Sequence, residues 1–117
     1  LYNSLNLQDQ NPYEPTLVVY FNSECDHCER EVKDFGENLN KFSGIKLVFV
    51  SSEPSDQAIS FLSKYNLNKF HVETDTEDII NTFIGGVPQV FVYFDGKLDQ
   101  HFVGETSVDV IIESLNQ

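Results

Sequence analysis

The chain has only two cysteines, and they stand together as Cys25 and Cys28 in the segment YFNSECDHCEREV, Tyr20–Val32. A pair at this spacing serves as a redox couple, as half of a metal site, or as a short structural clip. Zinc normally takes four ligands. No second Cys-x-x-Cys is present, and His27, His71 and His101 are the only histidines available to complete a set. A bridge between residues so close together constrains the unfolded chain too little to stabilise it much. Disulfide exchange therefore fits the pair best. Two alternatives stay open beside it: a copper- or zinc-binding chaperone, and a static disulfide in a non-catalytic module of a larger exported protein.

Exchange needs a thiolate, so a reactive cysteine must be helped to ionise. Cys25, Cys28, Val32, Phe35 and Leu39 recur at steps of three or four and share one face of a predicted helix. Ser23 followed three residues later by Asp26 resembles a capping box, which predicts a helix start at Ser23 or Glu24. Cys25 then falls in the first turn, where unpaired N–H groups and the positive dipole end favour an anion. The same direction makes Cys25 the exposed sulfur and Cys28 the buried one. Cys25 is thus the expected nucleophile and Cys28 the expected resolving thiol. His27, when protonated, favours the Cys25 thiolate and a more oxidising couple, while Glu24, Asp26 and Glu29 oppose it. Each of those exposed charges is worth under about 1 kcal/mol.

The elements that must hold this pair are readable along the chain. At 117 residues it fits one domain with a single core. Residues 1–15 read as a polar lead-in, punctuated by Pro12 and Pro15, and residues 16–117 as the domain. TLVVYFN (16–22) and KLVFVS (46–51) are β-branched, apolar runs typical of buried strands. Pro54 and Ser55 open a helix with the apolar face Ala58, Ile59, Phe61, Leu62 and Tyr65. A short strand FHVE (70–73) and a brief helix with Ile79, Ile80 and Phe83 follow. GGVP (85–88) leads into the strand QVFVYF (89–94), the turn Asp95–Lys97 and the strand QHFV (100–103), read as a hairpin. Thr106 and Asp109 frame the cap of a last helix using Val108, Ile111, Ile112 and Leu115. The order β-α-β-α-β-α-β-β-α predicts an α/β fold, a mixed sheet flanked by helices.

With 19 acidic against 7 basic residues, the net charge is −12. Such a surface excludes nucleic acid and anionic membranes as partners. No apolar run approaches the ~20 residues of a membrane span. The chain begins at Leu1 and contains no Met, so it reads as a processed or trimmed segment, an expectation that leaves room for a lost signal peptide, lipid anchor or N-terminal domain.

Taken together, the apolar strand into the CDHC helix, the segment GGVPQVFVYFDGK and the inserted SDQAISFLSKYNLNKFHVETD resemble the thioredoxin superfamily. The insertion points to its TlpA/ResA-like, AhpC/TSA-related branch, and the resemblance spans about residues 16–115. It implies a thioredoxin-like fold with the extra helix and strand of TlpA-like proteins and peroxiredoxins. It further implies a cis Val87–Pro88 bond beside the cysteines, with Val87 backbone groups pairing to a substrate chain. Glu31, three residues after Cys28, matches an acid that exchanges protons with the second cysteine, its pKa raised by desolvation.

The sequence departs from the family in several places. Glu24 stands where a Trp is usual, His27 where a Pro is frequent, and Val19 where thioredoxin has a buried acid. The helix-kinking Pro near Lys33 is absent, and Asn22 replaces the Thr that precedes a peroxidatic cysteine. The resemblance implies a monomeric, extracytoplasmic thiol-disulfide oxidoreductase acting on protein disulfides or dithiols and served by an upstream redox partner. No metal or cofactor is expected beyond the Cys25–Cys28 disulfide itself.

Overall fold

The computed structural model describes residues 14–73 and 86–115. The expected lead-in through residue 13 and the expected helix around Ile79, Ile80 and Phe83 lie outside the described residues. Among the described residues four strands form one sheet: β1 (Thr16–Tyr20), β2 (Lys46–Val50), β3 (Gln89–Phe94) and β4 (Lys97–Val103). Their order is β2-β1-β3-β4. β1 pairs parallel with β2 and antiparallel with β3, and β3 pairs antiparallel with β4. Parallel neighbours need a crossover, and α1 (Asp26–Glu37) supplies it between β1 and β2. The sheet is mixed, as expected.

Alternation along the strands divides the core in two. Leu17, Val19, Leu47, Phe49, Val90 and Val92 face one cluster, while Val18, Val48, Val50, Phe91 and Tyr93 face the other. The first cluster receives Cys28, Val32 and Phe35 from α1, Ala58, Phe61 and Leu62 from α2 (Ser55–Ser63), and Val108 and Ile111 from α3 (Val108–Leu115). All three described helices therefore pack against the same sheet face. Ile59, expected on the apolar side of α2, is exposed instead. Ala58, Phe61 and Leu62 sit at i, i+3 and i+4 and complete the stripe, which turns Ile59 about 100° away.

Further expectations are corrected. Of the strand expected at 70–73, one parallel bridge remains, between Phe49 and His71. Phe70 is taken up in a 3-10 turn, Asn68–Phe70, whose bonds Phe70 N–H to Leu67 O and His71 N–H to Asn68 O delay any pairing. At α3 the capping hydroxyl is that of Ser107, which accepts from Asp109 N–H at 3.2 Å, whereas Thr106 donates its hydroxyl to Gly104 O. The hairpin forms as expected, but its turn is shorter and its second strand longer than read: Lys97 pairs with Phe94 and opens β4, which runs from Lys97 and not from Gln100. Asp95 and Gly96 both have positive φ, 53° and 76°, the two-residue turn that Asp-Gly favours.

Gly36 marks where α1 crosses the end of α2. A Cβ there would lie 2.8 Å from the Tyr65 carbonyl oxygen, and backbone cannot swing aside as a side chain does. Gly36→Ala is therefore expected to lower stability by roughly 1–2 kcal/mol, strain outweighing the ~1 kcal/mol gain in helix propensity. The urea midpoint of the variant checks this.

Candidate active site

After β1 the chain continues one residue in register, with Phe21 N–H donating to Val50 O, and then turns. Asn22 makes the turn: its side-chain oxygen accepts from Glu24 N–H at 2.8 Å and its carbonyl from Cys25 N–H at 3.3 Å. The helix begins at Asp26, and Cys25 itself is the N-cap, with extended backbone (φ −108°, ψ 122°). The Ser23–Asp26 capping box is therefore not formed. The Ser23 hydroxyl and N–H both go to the Glu53 carboxylate, at 2.5 and 2.9 Å. Glu53 also accepts from Ser51 Oγ at 2.9 Å and Gln57 Nε2 at 2.6 Å. That residue escaped the sequence reading. Its one signal was position, since SSEP follows β2 just as NSEC follows β1, and parallel neighbours deliver both loops to the same sheet end.

In the N-cap position the Cys25 sulfur takes the place of a capping oxygen. Cys28 N–H points at Cys25 Sγ from 3.4 Å, so an otherwise orphan helix donor faces a sulfur whose thiolate form it would stabilise. Cys25 is half-buried and Cys28 has no exposed surface, and both are free thiols here. Burial, then the hydrogen bond with Cys25, push the Cys28 thiol up to about 12, with the charge of Glu31 a smaller contribution in the same direction. The backbone at Asn22 acts against this without reversing it. At neutral pH, Cys28 holds its proton.

Glu31 sits one turn further along α1 and is 1% exposed, although five other acids share the same helix or its start. Its Oε1 accepts from Thr106 N–H at 2.8 Å, and its Oε2 has no partner among the described residues. Burial pushes its carboxyl up to about 7, assisted by the charges of Asp34 and Glu105, while the Thr106 N–H pulls the other way. A cleft of about 380 Å³ runs beside it, lined by Arg30, Glu31, Asp34, Glu105 and Thr106 among others. Asp34 does similar work one turn later, accepting from Val108 N–H at 2.8 Å. The loop between β4 and α3 is thus strapped to the cysteine helix.

His27 is exposed and its ring is tied to that same loop. Nδ1 lies 3.0 Å from Glu105 Oε1 and 2.8 Å from Arg30 Nη2, while Arg30 Nε donates to Glu105 Oε1 at 2.9 Å. A bare Nδ1 accepts from Arg30 and a protonated one donates to Glu105, so protonation exchanges one partner for the other. Glu105 is held below the usual carboxylate range, chiefly by the hydrogen bond with His27 and then by that with Arg30. The imidazole expected to bias Cys25 thus has its own carboxylate, which offsets its charge. Glu24 and Asp26, the opposing acids, are exposed. Glu29 is not a free acid, since its Oε2 accepts from Tyr65 OH at 2.8 Å.

The Val87–Pro88 bond is cis. Tyr20 at the end of β1 is paired with Gln89 at the start of β3, so the chain leading to Cys25 and the chain arriving from Val87 lie at the same end of the sheet. Pro88 is buried, Val87 half-buried, and Gly104 N–H donates to Pro88 O at 2.9 Å. Val87 and Cys25 both pack against the core cluster that contains Cys28. The structure thereby brings Cys25, Cys28, Glu31, Val87 and Pro88 to one end of the sheet. His71 and His101, which a metal set would require, are elsewhere: His71 bridges to β2, and the His101 ring stacks on Phe91 at 4.1 Å. Among the described residues no group of three or more His, Cys, Asp or Glu is placed to hold a metal, and no helix is long and apolar enough to cross a membrane.

The sequence matches the AhpC/TSA family over residues 2–96. Among solved structures, StoA from Bacillus subtilis superposes with a TM-score of 0.68 at 22% identity, covering 90% of this chain and 84% of that one. A secreted Mycobacterium tuberculosis disulfide oxidoreductase homologous to E. coli DsbE gives 0.71 at 18% identity, covering 88% and 81%. A putative protein disulfide isomerase from Bacteroides thetaiotaomicron gives 0.77 at 13% identity, covering 94% and 76%. At these identities the likeness is one of fold, and the fold is thioredoxin-like. No curated protein matches the sequence.

Proposed function

This chain belongs to the AhpC/TSA family, and from that premise we propose that it is a thiol-disulfide oxidoreductase that exchanges disulfides with protein substrates outside the cytoplasm. One observation carries the reading: Cys25 caps α1 with its sulfur 3.4 Å from the Cys28 N–H, while Cys28 is buried one turn in with its proton held to about pH 12. The arrangement separates an attacking sulfur from a resolving one. The Cys25 thiolate attacks one sulfur of a substrate disulfide. A Cys25–substrate bond forms, the substrate S–S bond breaks, and the departing thiolate takes a proton. Cys28 then gives its proton to Glu31 and attacks Cys25 Sγ. The Cys25–Cys28 disulfide forms, the second substrate thiol leaves, and two electrons have passed to the substrate. The same steps reversed oxidise a dithiol, and an upstream redox partner resets the couple.

Val87 and Pro88 present the substrate-pairing edge in this reading, and the acidic surface favours substrates with neutral or basic flanks. The secreted Mycobacterium tuberculosis homologue of DsbE supports placing the activity outside the cytoplasm. Equilibration in glutathione buffers of graded potential, followed by alkylation and mass measurement, tests the assignment. A single two-electron transition in which both thiols disappear together is expected. Two thiols that stay alkylatable at the oxidising extreme would overturn it.

A further inference from the structure

Gln89 is a buried polar residue that the exchange chemistry does not use. It opens β3, is 1% exposed, and follows the cis proline directly. Its Nε2 lies 2.6 Å from Gly86 O, on the far side of Val87–Pro88. A carbonyl only accepts, so the amide nitrogen must face Gly86 and the amide oxygen must face the other way. There, Gln89 Oε1 is 2.7 Å from His101 Nε2, and that ring nitrogen must therefore carry a hydrogen. The His101 ring is held in place by its stack on Phe91, 16° from parallel and 4.1 Å between centroids. Phe91 and His101 are cross-strand partners, and Gln89 lies two residues from Phe91 on the same face of β3. A continuous chain of contacts runs from Phe91 through His101 and Gln89 to the Gly86 carbonyl.

We propose that Gln89, braced by His101, is a positioning residue that aims the Val87 backbone at the substrate chain. The reason is peptide planarity. The Gly86 carbonyl and the Val87 N–H belong to one rigid plane and point in opposite directions. Fixing the carbonyl on Gln89 fixes the N–H on the opposite side, away from the Gln89 side chain. Gly86 needs that fixing, because at φ +97° it occupies a region open mainly to glycine, which leaves it free to rotate. Gly86 is also exposed. Water can thus replace Gln89 at the carbonyl, so loss of the amide costs the fold little and frees the plane. The Nε2–H tautomer and the imidazolium of His101 both donate to Gln89, so the brace is independent of the ring's protonation.

The inference rests on the reading that Val87 pairs with a substrate backbone, and the experiment separates the two. Three substrates are compared: a peptide disulfide, its depsipeptide analogue with an ester beside the cysteine, and hydroxyethyl disulfide, which has no backbone. The wild type is expected to prefer the peptide over the depsipeptide. Gln89→Leu is expected to raise KM for the peptide about five- to tenfold, the effect of one directed hydrogen bond, and to abolish the preference. Its kcat and its rate with hydroxyethyl disulfide stay unchanged. His101→Phe, which keeps a ring on Phe91 but gives Gln89 no donor, is expected to shift KM the same way by a smaller factor, and decides the matter if the Leu variant does not fold. A wild type with no preference overturns the backbone-pairing reading. A wild-type preference that both variants retain, with unchanged KM, overturns the role of Gln89 alone.

Discussion

Cys25→Ser is expected to reduce disulfide exchange at least about a thousandfold, to the background rate, because no other group in the site can take over its role. A serine hydroxyl keeps the cap, since oxygen accepts from Cys28 N–H at least as well as sulfur does. The fold therefore survives and the loss is chemical. Cys28 cannot substitute: it has no exposed surface, and its thiol is pushed up to about 12, so it neither meets a substrate nor ionises at neutral pH. Cys28→Ser gives the opposite signature. Attack by Cys25 proceeds, resolution does not, and a mixed disulfide between Cys25 and the substrate accumulates. Mass spectrometry of non-reduced reaction mixtures distinguishes the two variants. Turnover by Cys25→Ser comparable to the parent's, or a trapped adduct on Cys28 in place of Cys25, would contradict the assignment of roles.

That asymmetry was legible in the sequence, because helical spacing alone puts the second cysteine one turn inside the first. The strand alternation and the Asp-Gly hairpin were legible for the same reason, as local periodicity and local turn chemistry dictate them. Contacts made across long sequence separations were not. Ser23 looks like a helix cap because its three-residue offset to Asp26 is right, yet Glu53, thirty residues on, takes its hydroxyl. Cys25 inherits the capping position, which moves its sulfur closer to an N–H donor than a first-turn residue would be.

Glu31 and Glu29 show the same limit within one helix turn. Helical spacing alone gives both as acids on an acidic helix, and only the family resemblance set Glu31 apart; in the fold Glu31 is closed over by the Thr106 loop while Glu29 meets Tyr65. Periodicity does not separate a buried carboxyl from a hydrogen-bonded one at the edge. His27 was read as favouring the Cys25 thiolate when protonated, and the carboxylate that answers it comes from Glu105, 78 residues away along the chain.

Glu31→Gln is expected to change both the pH dependence of resolution and that of stability. In the native protein the Glu31 carboxyl is pushed up from 4.5 to about 7 by burial. Between those values the folded chain holds a proton that the unfolded chain releases, so stability falls as pH rises through this window. The loss is complete above about pH 8 and amounts to roughly 3 kcal/mol. The amide keeps an oxygen for Thr106 N–H and removes the ionisation. The variant should thus match the parent near pH 5 and exceed it at pH 8, as read from urea midpoints.

For catalysis the sign reverses, since in the proposed resolution step Glu31 can accept the Cys28 proton only when ionised. Resolution in the parent should rise as pH increases through about 7. The variant should resolve about 10²-fold more slowly and lose that inflection, leaving a rise that follows hydroxide alone. Stopped-flow measurement of mixed-disulfide decay reads this directly. A variant that keeps both the inflection and the rate would assign the proton to another acceptor. A variant that is more stable at pH 8 yet slower to resolve would show that burying this carboxylate costs stability for the sake of proton transfer.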